Sequence, residues 1–217
     1  MPILDRDKVA QMKHSFVCVS RTTGAGAEEV AGLVAERLDF RLLDEEILLQ
    51  AAENAGVEPE EVADVEQRKS FLARVADGMI ERGVASAYGP MIPQPSGPRR
   101  AELRDHIRRA IEETTADGPA VIVAHGASIA LTGRDDVLRV LITASPETRA
   151  ERLERDAELE RSEATKLVKE SDAARAAYLK DFYGVERELP TSYDLVLNTD
   201  RLTVEDAAGL VVQALKL

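Results

Sequence analysis

The segment 16–30, FVCVSRTTGAGAEEV, constrains the fold of this chain more than any other segment. It begins with an apolar, strand-forming run, continues through a turn that contains Gly24 and Gly26, and ends in helix-forming residues. A strand, a glycine turn and a helix in this order are typical of a phosphate-binding loop, in which backbone N–H groups surround phosphate oxygens. The segment therefore predicts one strand–turn–helix unit of an α/β protein with an anion site at its turn.

The side chains of this turn depart from the usual phosphate-loop pattern, G-x-x-x-x-G-K-[ST]. When Gly26 is aligned with the second glycine, Arg21 stands at the first glycine. Ala27 then replaces the lysine, and Glu28 replaces the Ser/Thr that holds Mg²⁺. A carboxylate beside a triphosphate is repulsive, because two unit charges ~4 Å apart interact by roughly 4 kcal/mol at an effective dielectric of about 20. We expect Arg21 to replace part of the missing positive charge.

Short apolar runs alternate with helical patterns along the chain. The predicted strands are 16–20, 41–43, 120–124, 138–143 and 195–197. The predicted helices are 28–38, 45–55, 71–82, 102–114, 147–155, 162–182 and 204–215. Short continuous apolar runs are typical of strands buried on both faces, and their alternation with helices predicts a doubly wound α/β fold with a parallel sheet.

The charge balance narrows the choice of partners. There are 28 basic and 40 acidic residues, so the net charge is −12. Such a charge repels nucleic acids and anionic membranes, so we expect neither as a partner, and a phosphate ligand needs a local basic pocket. The single cysteine, Cys18, excludes an intramolecular disulfide, and its apolar surroundings predict a buried, inert thiol. Without a signal-peptide pattern or a membrane-spanning run, we expect a cytoplasmic protein.

Residues 57–100 interrupt the alternation of strands and helices. They contain charged helical patterns without a strand candidate and end in a segment dense in Pro and Gly, 88–98. We therefore predict one domain, 1–217, with a helical insertion at 57–100. No feature indicates a homo-oligomer.

Two later segments place charged residues on single helix faces. In LITASPETRAER, Ser145 and Pro146 open a helix that carries Arg149 and Arg152 three residues apart. In SDAARAAY, Asp172 and Arg175 have the same spacing. Both pairs have a structural interpretation beside the functional one: surface ion pairs for the two arginines, and an Asp172–Arg175 couple within one helix.

Taken in chain order, LITASPETRAER, SDAARAAY and YDLVLNTDRL resemble the cytidylate-kinase-like family, a branch of the P-loop nucleoside monophosphate kinases. SRTTGAGAEEVAGLVAERL is similar to the glycine turn and first helix of that family, and FRLLDEEIL to its second strand and following helix. The resemblance implies a three-layer α/β fold with about five parallel strands. It also implies a monophosphate-binding insertion at 57–100, a helical lid at 149–170, and ATP-dependent phosphoryl transfer to a nucleoside monophosphate with Mg²⁺.

The candidate site residues fall into groups of different role, and no structural metal is expected. The candidate catalytic cations are Arg21, Arg149 and Arg152, the candidate nucleotide-binding residues are Thr23, Gly24, Ala25 and Gly26, and the candidate acceptor-binding residues are Asp44, Asp172 and Arg175. His125 stands at a strand end where related kinases carry Asp or Arg. Three hypotheses stay open: a phosphotransferase, a catalytically impaired nucleotide-binding protein that acts as a sensor or scaffold, and an unrelated interaction protein.

Overall fold

The first apolar run, Phe16–Arg21, is strand β1 and lies at the centre of a parallel sheet. The computed structural model describes residues 13–44, 98–123 and 126–217. The other strands are β2 (Arg41–Leu43), β3 (Ala120–Val123), β4 (Val137–Thr143) and β5 (Leu195–Asn198). The helices of these ranges are α1 (Ala27–Leu38), α2 (Pro98–Thr114), α3 (Ala127–Ala130), α4 (Pro146–Ala157), α5 (Arg161–Tyr183) and α6 (Val204–Ala214). Short 3₁₀ turns occupy Thr115–Asp117 and Pro190–Ser192.

In the described part of the chain, the sheet has five parallel strands in the order β2-β3-β1-β4-β5. Val17 of β1 pairs with Val121 of β3 on one side and with Leu138 of β4 on the other. The neighbours β1 and β3 are followed by helices that pack on opposite faces of the sheet. In open α/β sheets, ligands bind beyond the carboxyl ends of the strands at such a switch point. This topology confirms the predicted three-layer α/β fold.

The two faces of the sheet have separate cores because successive residues of β1 point to opposite sides. Val17 and Val19 pack with α1 and α6 in one core. Phe16 and Cys18 pack with α2 and α3 in the other. Cys18 is buried, as predicted, and this burial raises the pKa of its thiol to about 12. Helices α4 and α5 form a hairpin with a smaller cluster of its own, centred on Leu153 and Val168.

Each predicted strand corresponds to a strand of the structure, whereas some helix predictions were wrong at their ends. Helix α2 begins at Pro98, four residues before the predicted start at residue 102, so residues 98–100 belong to a helix rather than to the irregular connector. Pro suits the first position of a helix, because its fixed φ matches the helix. Proline has no N–H, and an N–H at this position would have no intrahelical acceptor. Helix α3 was not predicted. The predicted helices 45–55 and 71–82, insertion residues 57–97 and His125 lie outside the described residues.

None of the helices in the described ranges is long and apolar enough to span a membrane.

Candidate functional site

The loop between β1 and α1 requires glycine at two positions. Gly24 has φ 80° and Gly26 has φ 78°, both in the left-handed region that residues with a Cβ rarely adopt. A Cβ on Gly24 would also lie 2.9 Å from the carbonyl oxygen of Arg149, so the loop packs directly against the backbone of α4. Gly26 caps the amino end of α1, which begins at Ala27. The loop therefore turns tightly enough to place the start of α1 just beyond the carboxyl end of β1.

The carbonyl groups of this loop accept hydrogen bonds from three side chains. Thr23 O accepts from Arg149 Nη1 at 3.5 Å, and Gly24 O accepts from Arg152 Nη1 at 3.3 Å. Ala25 O accepts from the Thr199 hydroxyl at 2.8 Å. Within the loop, the N–H of Ala25 donates to Thr22 O at 3.0 Å. The predicted nucleotide-binding residues and two of the predicted catalytic arginines therefore lie together at one loop.

Arg149 joins the loop to helix α5, which carries the predicted acceptor residues Asp172 and Arg175. Its two terminal nitrogens donate to the Asp172 carboxylate at 2.8 and 2.6 Å. The Arg149 side chain is only 4% exposed, whereas that of Asp172 is 43% exposed. In place of the predicted Asp172–Arg175 couple, Asp172 pairs with Arg149 of α4, and Arg175 pairs with Glu188 in the turn before β5.

Residues of the turn after β5 form hydrogen bonds both with α4 and with the same loop. Arg152 Nη2 donates to the Thr199 carbonyl at 2.7 Å, and Arg152 Nη1 donates to the Thr199 hydroxyl at 2.9 Å. Asp200 accepts from the backbone N–H of Ser145 at 2.9 Å and from its hydroxyl at 3.1 Å. The hydrogen bond from that backbone N–H is the main cause that lowers the pKa of Asp200. Ser145 caps α4 by accepting from the N–H of Thr148 at 3.3 Å, as its sequence position predicted.

Arg21 and Glu28 form an ion pair across the loop. The side chains are 23% and 46% exposed, so the pair lies at the surface of the site. The charge of Glu28, which lies beside the predicted phosphate site, is thus offset by the arginine at the end of β1.

A second polar network surrounds the predicted acceptor residue Arg175, at the carboxyl-terminal part of α5 and the turn before β5. Arg175 donates to Glu188 at 2.9 and 2.5 Å, and Tyr193 donates to the same carboxylate. Burial raises the pKa of Glu188, but the hydrogen bond and charge of Arg175 outweigh it, so the net pKa is lowered. Burial and the hydrogen bond to Glu188 raise the pKa of Tyr193 to about 12. All three groups therefore keep their ordinary protonation states at neutral pH.

The remaining predicted acceptor residue, Asp44, directly follows β2. Since all strands are parallel, it lies at the same carboxyl edge of the sheet as the glycine loop, with β3 between β2 and β1.

Sequence reasoning missed Thr199, Glu188, Tyr193 and the buried hydrogen bond between the Ser20 and Ser128 hydroxyls, 3.1 Å long. Thr199 and Tyr193 are both part of YDLVLNTDRL, a segment that the sequence analysis singled out only for its strand and resemblance. The hydroxyl of Thr199 donates to Ala25, which lies far away in the chain, so local spacing gives no signal for this contact. Tyr193 and Glu188 are only five residues apart, but no regular spacing connects them.

A parallel sheet in the order β2-β3-β1-β4-β5, with a glycine loop between its central strand and the following helix, defines the class of P-loop kinase-like folds. The chain belongs to the cytidylate kinase-like family, whose model matches residues 16–201. A cytidylate kinase from Methanocaldococcus jannaschii is 26% identical over 158 residues, which cover 71% of this chain and 89% of that protein.

Solved structures support the fold. An uncharacterised protein from Eubacterium ventriosum matches with a TM-score of 0.63 at 15% identity, over 92% of this chain and 97% of that one. A shikimate kinase from Bacteroides thetaiotaomicron matches with a TM-score of 0.50 at 16% identity, over 93% and 98% of the two chains. At such identities the likeness shows the fold alone.

Proposed function

We propose that this protein binds ATP at its glycine loop and transfers the γ-phosphoryl group to a nucleoside monophosphate or a similar small acceptor. One observation carries the proposal. In a chain of the cytidylate kinase-like family, a tight glycine turn joins β1 to α1, with the start of α1 and the side chains of α4 assembled around it.

The residues present fit the polyphosphate of ATP. The first N–H groups of α1 have no intrahelical acceptor, and the helix dipole favours an anion at this end. Arg21, Arg149 and Arg152 border the same loop. Arg152 faces neutral oxygens and supplies positive charge, whereas Arg21 and Arg149 are also paired with Glu28 and Asp172. Among the described residues there is no group of three or more His, Cys, Asp or Glu that could hold a metal ion. Mg²⁺ in such sites is bound largely by the phosphates of the nucleotide, whose charge it neutralises during transfer.

The transfer itself needs position and charge more than covalent help from the protein. An acceptor phosphate oxygen forms a bond to the γ-phosphorus while the bond from that phosphorus to the β,γ-bridging oxygen breaks, and ADP leaves. We assign the acceptor to the surface near Asp44, Asp172 and Arg175. Asp172 would accept from a base amino group and Arg175 would bind the monophosphate, and each would exchange a present partner, Arg149 or Glu188, for the ligand.

A second candidate function is supported by the chemistry of the loop itself. Ala27 supplies no cation, and the charge of Arg21 is offset by Glu28. A protein with these features would bind a nucleotide without rapid transfer and act as a nucleotide sensor or partner-binding scaffold.

Ligand-dependent thermal stability followed by an assay of ADP formation separates the two. The protein is melted alone, with ATP·Mg²⁺, with CMP, and with both at millimolar concentration. A ligand at a hundredfold excess over its Kd stabilises the folded state by about 2.7 kcal/mol. Shifts with both ligands and CMP-dependent ADP formation support the kinase. A shift with ATP and no ADP formation supports the second candidate, and a shift with neither ligand contradicts both.

A further inference from the structure

Three consecutive carbonyl groups of the glycine loop are held from one side. Thr23 O, Gly24 O and Ala25 O accept from Arg149, Arg152 and Thr199. These donors belong to α4 and to the turn after β5, which pack against the same flank of the loop. The same flank meets the Cα position of Gly24, where a Cβ would touch the Arg149 backbone.

The planarity of the peptide bond converts this carbonyl arrangement into an arrangement of donors. In a trans peptide, the C=O of one residue and the N–H of the next point in opposite directions. Holding Thr23 O and Ala25 O toward α4 and Thr199 therefore turns the N–H groups of Gly24 and Gly26 away from them. Both glycines have left-handed φ, so the turn that carries these two N–H groups is tight. The peptide between them is also fixed, because the Ala25 N–H donates to Thr22 O.

Thr199 is the centre of this arrangement. The residue is 3% exposed. Its hydroxyl donates to Ala25 O at 2.8 Å, with Thr143 O a longer alternative at 3.3 Å, and accepts from Arg152 at 2.9 Å. Arg152 in turn donates to the Thr199 carbonyl and to Gly24 O. One hydroxyl thus joins the loop, α4 and the end of β5, and it requires both its donor and its acceptor capacity.

We propose that Thr199, together with Arg152, is a positioning residue that directs the Gly24 and Gly26 N–H groups at the phosphates of the nucleotide. The inference rests on the proposed function for the identity of the ligand, but the positioning itself is a property of the free protein. It accounts for a phosphate loop in which Ala27 replaces the lysine. Preorganised backbone donors take part of the role of the missing charge, because they need no rearrangement when the ligand arrives.

The test compares Thr199→Val, which removes the hydroxyl and keeps the shape, with Thr199→Ser, which restores it. Backbone ¹⁵N relaxation of the full chain is measured by NMR without ligand, and the Kd for ATP·Mg²⁺ is measured by calorimetry. In Thr199→Val we expect the order parameters of the Gly24 and Gly26 N–H groups to fall from about 0.85 toward about 0.6 and the Kd to rise about tenfold, since a buried hydrogen bond that holds the loop is lost. Thr199→Ser should keep the order parameters of the wild type and a Kd within about twofold of it.

Two comparisons distinguish positioning from a general loss of stability. The order parameter of a core amide of β1, that of Val17, should stay unchanged. Thr132→Val provides the matched control, because Thr132 is an exposed threonine just after α3 whose hydroxyl donates only at 3.5 Å, to the Ser128 carbonyl. If Thr199→Val does not fold, Arg152→Met removes the guanidinium donors to Thr199 and Gly24 and should lower the order parameters of the same two glycine amides.

Unchanged order parameters at Gly24 and Gly26 in the folded variants would overturn the inference. Lower order parameters together with a weaker ATP Kd support it. Lower order parameters in a protein whose wild type does not bind ATP support the positioning role and contradict the proposed function, so the two failures are distinguishable.

Discussion

The arginines of the glycine-loop side and of the proposed acceptor side use their positive charge in different ways. On the loop side, Arg152 donates to neutral oxygens of Thr199 and Gly24, and these contacts leave its charge in place. On the acceptor side, Arg175 donates to the Glu188 carboxylate, which offsets its charge. Arg149 stands between the two, with a neutral loop carbonyl on one side and the Asp172 carboxylate on the other.

This difference indicates that the two halves of the site are prepared for their ligands to different degrees. On the loop side the turn is already fixed and Arg152 faces neutral oxygens, so we expect a polyphosphate to bind there with little rearrangement. A monophosphate on the acceptor side must compete with Glu188 for Arg175, and a base must compete with Arg149 for Asp172. We therefore expect the loop side to respond to changes of shape and the acceptor side to changes of charge.

The largest effect should come from Gly24→Ala, a change of shape on the loop side. The new Cβ combines a left-handed φ of 80° with a contact of 2.9 Å to the Arg149 carbonyl oxygen. Strained φ and overpacking each cost about 1–3 kcal/mol, so we expect the free energy of unfolding to fall by about 2–4 kcal/mol. Urea denaturation measures the stability, and calorimetry should show a matching loss of ATP binding.

Gly32→Ala is the control for that change. Gly32 lies inside α1, and a Cβ there would meet no atom within 4 Å. Ala in a helix interior is favoured over Gly by roughly 0.5–1 kcal/mol, so this variant should be slightly more stable than the wild type. Equal stability of the two variants would show that the loop is not held against α4 as described.

The strands and the glycine turn could be predicted from the sequence, because both depend on local signals. Strand β2 has the predicted limits 41–43, and the other strands end within a residue or two of theirs, because buried apolar runs are local signals. The tight turn at Gly24 and Gly26 was predicted from a local signal too, because glycine adopts the φ values that such a turn requires. The order of the strands was not predicted, since it depends on which edges pair over long distances in the chain.

The side-chain partners were harder to predict than the elements. Spacing on one helix suggested an Asp172–Arg175 couple, but the α4–α5 hairpin brings Arg149 to Asp172, and the turn before β5 brings Glu188 to Arg175. A long side chain can choose among several partners, and tertiary packing decides which one it meets. The role of Arg21 was easier to predict. Arg21 and Glu28 flank the same turn, so their ion pair needs no packing between distant elements.

A smaller effect is expected from Glu188→Gln, a change of charge on the acceptor side. The folded-state pKa of Glu188 is lowered, so its contribution to stability is present above its unfolded pKa of 4.5 and is lost as the pH falls. At pH 7 the variant should be about 1–3 kcal/mol less stable, because a half-buried pair with Arg175 is broken. The loss should shrink toward pH 3 in urea denaturation. Since Arg175 no longer faces a carboxylate, CMP should bind more tightly.

Glu186→Gln serves as the control for this pH dependence. Its side chain is 75% exposed and pairs with Lys180 at the surface, where an ion pair contributes little. The stability of this variant should follow that of the wild type at each pH. A Glu188→Gln variant that retained the acid sensitivity of the wild type would place the titrating group elsewhere and remove the basis for the charge argument.

The smallest effect is expected from Glu28→Gln, which changes charge on the loop side without changing shape. The carboxylate that offsets Arg21 is removed, and so is its repulsion toward a triphosphate. Because the Glu28 side chain is 46% exposed, we expect ATP to bind only about twofold to fivefold more tightly at low salt, with a smaller gain at high salt. Glu28→Arg should increase the gain further, and Glu36→Gln, on the exposed face near the other end of α1, should give none. Calorimetry at two salt concentrations measures all three. If Glu28→Gln and Glu28→Arg bind ATP as the wild type does, the loop side already has the charge it needs from Arg152 and Arg149, and only its shape limits binding.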